Sequence, residues 1–118
     1  MEKSHKQIVL RFRAVNKDIF NMIRLGKKRV ETRAATMKYR NISPGDSIIF
    51  VCGTKRFTKT VAKASRFKSI RAMLRVYDMK DIMPSLNSEK ELREAYYSYQ
   101  NYKEKIKKFG IITLEFER

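Results

Sequence analysis

One cysteine and one histidine are all that this 118-residue chain offers to metal or thiol chemistry. Cys52 alone cannot close an internal disulfide, and one His with one Cys makes neither a structural zinc site nor a His-based catalytic constellation. No metal and no cofactor is expected. Cys52 lies in the apolar run Ile48-Ile49-Phe50-Val51-Cys52, where a thiol behaves as a small buried hydrophobe. Tryptophan is absent, and two prolines and four glycines are too few for a linker, so one domain over residues 1–118 is expected. No apolar run approaches the ~20 residues of a membrane helix. The opening Met1-Glu2-Lys3-Ser4-His5-Lys6 has no apolar stretch of the signal-peptide kind. The chain is therefore expected to be cytoplasmic and not inserted in a membrane, and the Asn41-Ile42-Ser43 sequon has no glycosylation to receive.

Acid is also scarce. Twelve Asp and Glu face 28 Lys and Arg, for a formal net charge of +16. The excess is uneven. Residues 1–53 carry a net of +8, residues 54–75 another +8 with no acid at all, and residues 76–118 are neutral. A charge that large resists compaction and favours a polyanionic partner, of which RNA or another nucleic acid is the commonest. The partner should meet the first two thirds of the chain. Lys55, Arg56, Lys59, Lys63, Arg66 and Lys68, from the acid-free stretch, are candidate phosphate contacts.

Periodicity gives the outline. Ile8, Leu10 and Phe12 alternate with Gln7, Arg11 and Arg13, the pattern of a half-buried strand. Asn16 can cap a short helix with the stripe Ile19, Phe20, Ile23, which Gly26 stops. A strand over about 29–33 follows. Ser43-Pro44-Gly45-Asp46 is a turn signal, and the unbroken run from Ile48 to Cys52 suggests burial on both faces. Phe57 to about Ala64 reads as the returning strand. The neutral third is mostly helical. Ser69 can cap one helix, Ser88 and Glu91 have capping-box spacing, and Asn101 and Glu104 repeat it. The last strand alternates, with Ile112, Leu114 and Phe116 inward and Thr113, Glu115 and Glu117 outward. These elements predict an α+β fold, a closed mixed β-barrel of about five to six strands with helices at its rim. Tyr96 and Tyr99, at helical spacing, read as core. Tyr97 and Tyr102 are looser candidates for stacking on bases.

The most informative stretch is Leu25-Gly26-Lys27-Lys28-Arg29-Val30-Glu31-Thr32-Arg33, followed by the Gly45-Asp46 turn into a strand. Here the chain resembles the ASCH family, whose members show a helix ending in Gly-x-Lys-x-x-Glu-x-Arg and then a Gly-Asp turn. Gly26, Lys28, Glu31 and Arg33 fill the first pattern. The resemblance covers nearly the whole chain, through the closing Lys107-Lys108-Phe109-Gly110 and the last strand. It implies a PUA-like barrel and a cleft lined by the Gly-x-Lys-x-x-Glu-x-Arg segment, with RNA or modified nucleosides as ligands. Physics points to the same residues. Lys28 and Arg33 are cationic donors, and Arg can grip phosphate in bidentate fashion. Glu31 and Arg33 stand two apart on a strand and share a face, where Glu31 can hold a cation in place or accept hydrogen bonds from a base edge. A plain Glu31–Arg33 ion pair is the structural alternative. Lys27, Arg29 and Arg40 read as general phosphate contacts or plain surface.

An enzyme is the second reading, either a metal-independent ribonuclease or an acetylcytidine-type amidohydrolase using Lys28 and Glu31. One branch of the family resembles such an amidohydrolase, with a lysine at the position of Lys28 and a threonine nucleophile three residues later. Here that nucleophile position is Glu31, and the adjacent Thr32 should face the other side of its strand. The missing nucleophile favours binding over catalysis. A third reading makes the helical region 69–108 a docking face for a protein partner.

Overall fold

The computed structural model describes residues 4–118. The chain runs β1 (Gln7–Arg11), a 3-10 turn (Ala14–Asn16), α1 (Lys17–Arg24), β2 (Val30–Ala34), β3 (Ser47–Cys52) and β4 (Lys55–Phe67). It continues α2 (Ile70–Leu74), α3 (Met79–Ile82), α4 (Glu89–Tyr97), α5 (Tyr102–Phe109) and β5 (Ile111–Phe116). The strands form one five-stranded sheet in the order β1-β3-β4-β5-β2. Only the β1–β3 pair is parallel.

The thirteen-residue β4 makes the sheet curl. Its first half pairs with β3 and its second half with β5, with a register shift between Val61 and Lys63. A bulge bends and twists a strand locally. On the inner face Phe50 stacks on Phe57 at 4.8 Å and meets Phe116 of β5 edge-on at 5.4 Å. Phe20 and Ile23 of α1 plug this core, beside Leu10, Ile48, Val61, Ile112 and Leu114. A second core lies on the other side, where Ile70, Met73, Ile82, Leu92, Tyr96 and Ile106 of the helices cover Val30, Ala34 and Ile111.

The α+β class and the strand count stand, but the barrel is half closed. β1 and β2 end the sheet and do not pair with one another. Three local expectations also change. β3 alternates buried and half-buried residues instead of being buried throughout, because only its inner face enters a hydrophobic core. In β5 the expected outward Thr113 is fully buried, because the helices cover that side too. Asn16 and Asn101 make no side-chain cap, and Asn101 enters α5 with φ +59°. Ser69 and Ser88 do cap, accepting from the Ala72 and Glu91 amides at 3.1 Å each. The Ser69 helix stops at Leu74, short of Tyr77, and the extra helix α3 is capped by Asp78. Gly110 joins α5 to β5 at φ +78°, where an added Cβ would lie 2.4 Å from the Phe67 carbonyl oxygen. That backbone region is open essentially to glycine alone.

The Gly45-Asp46 turn ties the first strand to the sheet. Asp46 is buried and accepts from the Lys6 and Ser43 amides at 2.9 Å each, with the Lys6 ammonium at 3.2 Å. Burial pushes its carboxyl up, but these hydrogen bonds and Lys6 outweigh it and hold the pKa below the usual carboxylate range. A depressed folded value means that Asp46 adds stability above the unfolded pKa of about 4, and that this is lost as pH falls through the folded value. Asp46→Asn should therefore lower the melting temperature at pH 7, and its deficit against the native chain should shrink toward pH 2. A deficit of equal size at both pH values would show that the carboxylate charge is not what matters.

Candidate nucleotide-binding cleft

The unpaired ends of the sheet create the site. Where β1 and β2 face each other across the open seam, the chain leaves a cleft of about 250 Å³. One wall is Arg11, Phe12 and Arg13; the other is Glu31, Thr32 and Arg33. Tyr96, Tyr99, Gln100, Tyr102 and Lys105, from α4, α5 and the turn between them, form the rim. Four cations thus surround one carboxylate.

β2 is an edge strand whose outward backbone groups need partners. The neighbours supply them in order. The Arg29 amide donates to the Asp81 carbonyl at 3.1 Å, Val30 O accepts from Lys28 at 2.7 Å, Thr32 N donates to Glu31 Oε1 at 2.8 Å, and Ala34 N donates to the Tyr102 hydroxyl at 3.0 Å. These bonds fix the strand and aim Glu31 and Arg33 into the seam.

Glu31 and Arg33 share a face, as the spacing implies. Arg33 Nη2 lies 3.4 Å from Glu31 Oε2, and the guanidinium sits over the rings of Phe12 at 5.3 Å and Tyr39 at 5.9 Å. Stacking and the ion pair hold the group while leaving other N–H donors for a ligand. Burial alone would lower the Arg33 pKa; Glu31 and the nearby tyrosines more than offset this and raise it. Burial raises the phenols of Tyr96, Tyr99 and Tyr102, so all three are neutral hydroxyls. Tyr96 is core, but Tyr99 is 38% exposed on the rim, contrary to the core reading, and packs edge-on against Tyr102 at 5.5 Å.

Lys28 differs most from expectation. It is 2% exposed and cannot grip a ligand phosphate from the surface. Its ammonium donates to the carbonyls of Val30 and Ile82 and stands 3.6 Å from Glu31 Oε1. Burial pulls its pKa below the ordinary lysine value, with Glu31 opposing. Lys28 holds α3 against β2 and braces Glu31 from behind. Thr32 points away from Lys28, its hydroxyl bonded to that of Tyr96, with which it lines the α4 side of the cleft. The amidohydrolase arrangement therefore has a carboxylate, not a hydroxyl, on the Lys28 side.

Of the other predicted contacts, Lys27, Arg40, Lys55, Arg56, Lys63, Arg66 and Lys68 do not line this cleft. β4 is the middle strand and the seam joins the outer two. Lys59 lines a second, wider hollow with Lys28, Arg29 and Arg118 and with Asp81, Glu115 and Glu117. Phe12, Arg13, Tyr99 and Lys105 belong to the site, yet no short motif marks them. The helical region 69–108 uses its apolar stripe to cover the second core. Among the described residues no helix is long and apolar enough to cross a membrane.

The model of the ASCH domain family matches residues 14–118. The chain is similar in structure to hypothetical protein PH0355, known from a crystal structure. The two are 28% identical with a TM-score of 0.79, over 97% of this chain and 98% of that one. It is also similar to protein PF0455 from Pyrococcus furiosus, known from a solution NMR structure. There the identity is 28% and the TM-score 0.74, over 94% of this chain and 96% of that one. No curated protein matches the sequence.

Proposed function

The chain belongs to the ASCH domain family and has a PUA-like half-barrel fold, and from that premise we propose that it binds RNA by taking one unpaired nucleotide into the seam cleft. The observation that carries this reading is Arg33, stacked over Phe12 and Tyr39, ion-paired to Glu31, and open to the cleft. A guanidinium fixed in this way is suited to a phosphate, while Tyr99 on the rim offers a ring face to a base. Arg11, Arg13 and Lys105 supply further charge at the mouth. A space of about 250 Å³ suits a small planar group and its sugar, not a duplex. The basic surface of β4 then attracts the backbone at longer range without choosing a nucleotide.

Fluorescence anisotropy with a short single-stranded RNA tests the proposal. If the four cleft cations each neutralise one phosphate, a fourfold rise in salt should weaken binding by roughly 50-fold, from the single-strand slope of about 0.7 per contact. A hairpin duplex of equal length should bind more weakly at every salt concentration. Binding that ignores salt, or that prefers the duplex, would overturn it.

A further inference from the structure

The strand with the longest apolar run in the chain has one face that, among the described residues, belongs to neither hydrophobic core. On the outer side of β1, β3 and β4 the registers set three rows: Gln7-Ser47-Thr60, Val9-Ile49-Thr58 and Arg11-Val51-Arg56. Val9, Ile49 and Val51 are half-buried there and belong to neither core. α1 meets β3 from the inner side, through Phe20 and Ile23, and the other helices lie against β2 and β4 and cover Ile111 of β5. Three adjacent β-branched aliphatics form the centre of this face, and their neighbours are polar or cationic. None of the nine residues carries a carboxylate.

Two features narrow the occupant. The first is charge. Arg11 and Arg56 flank Val51, and a second copy of a chain carrying +16 would bring like charges together. The second is size. Three strands about 4.8 Å apart and five residues long span on the order of 200–250 Å² of sheet plane. A standard protein–protein interface buries about 800 Å² on each partner, so this face suits a short segment better than a whole second copy. No aromatic ring stands on it, so it offers an RNA base nothing to stack on.

We infer that this face docks an acidic amphipathic helix from another protein. Arg11 and Arg56 stand on strands two places apart, about 10 Å between their backbones. Carboxylates at positions i and i+7 of a helix are about 10.5 Å apart along its axis. Aliphatic residues at i+3 and i+4 of the same helix lie between them on the same side, over Val51 and Ile49. A helix laid across the strands thus pairs both arginines and covers the aliphatic centre. Arg11 also lines one wall of the cleft and is shared between the two surfaces, so Arg56 and Ile49, which do not line it, define this face independently of the RNA site.

The test uses the full chain, isotope-labelled, and a synthetic helical peptide with Glu at i and i+7 and Leu at i+3 and i+4. Saturable amide shifts are expected at Val9, Ile49, Val51 and Thr58, with Arg33 and Tyr99 unmoved. Arg56→Glu and Ile49→Ser should each weaken the peptide at least tenfold, and replacing both its glutamates by glutamine should weaken it similarly. Arg56 is exposed, so its variant reads the surface even if Ile49→Ser lowers the melting temperature. Four results would overturn the inference: no saturable shift, shifts confined to the cleft, an Arg56→Glu protein that binds as the native one does, or concentration-dependent self-association that Ile49→Ser abolishes. The last would assign the face to a second copy. Loss of RNA binding in Arg33→Ala with peptide binding intact would separate this surface from the cleft.

Discussion

Lys28→Met should cost the domain about 3–5 kcal/mol, the range for removing one partner of a buried ion pair. The substitution keeps most of the volume, so packing is not what changes. It removes an ammonium that bonds the Val30 and Ile82 carbonyls and faces Glu31. Two backbone acceptors and a largely buried carboxylate then lose a donor. For a chain of this size the loss corresponds to a melting temperature lower by roughly 10–20 °C. The double variant Lys28→Met with Glu31→Gln should recover part of it, because the orphaned charge goes as well. Thermal unfolding by circular dichroism reads both. A Lys28→Met protein melting within about 2 °C of the native chain would remove Lys28 from the framework of the site.

Arg33→Ala should weaken single-stranded RNA by about 1–3 kcal/mol, or roughly 5- to 150-fold, with little loss of stability. Its side chain is 23% exposed and makes one long ion pair at 3.4 Å, so the fold depends on it less than on Lys28. Arg33→Lys should restore only a fraction, because a point charge lacks the planar fork and stacks less well on Phe12 and Tyr39. Arg56→Ala, on β4, removes the same charge and should weaken RNA only a fewfold. Equal losses in Arg33→Ala and Arg56→Ala would describe a diffuse basic surface with no defined site.

Part of this was legible in the residues. Gly26, Lys28, Glu31 and Arg33 point to the strand that lines the cleft, and a period of two puts Glu31 and Arg33 on one face and Thr32 on the other. Three neighbouring cations, Lys27, Lys28 and Arg29, look alike in the sequence, and nothing there tells which one α3 will bury. Only the Ile82 carbonyl, fifty-four residues away, selects Lys28. Phe12, Tyr99 and Lys105 reach the cleft because the curled sheet brings β1, β2 and the α4–α5 turn together, which no local spacing encodes. The basic stretch 54–75 lies away from the cleft for the same reason. Its charge density is real, but β4 is the central strand, and the cleft forms at the outer two. The apolar run of β3 suggested burial on both faces, whereas the structure buries one and half-buries the other.

Chemical-shift mapping of a short single-stranded RNA on the isotope-labelled full chain tests the central claim most directly. The largest amide shifts are expected at Arg13, at Glu31 to Arg33, and from Tyr99 to Tyr102, saturating together as one site, with smaller and salt-sensitive shifts along β4. The largest shifts along Lys55 to Lys68, with Glu31 to Arg33 unmoved at saturation, would contradict it.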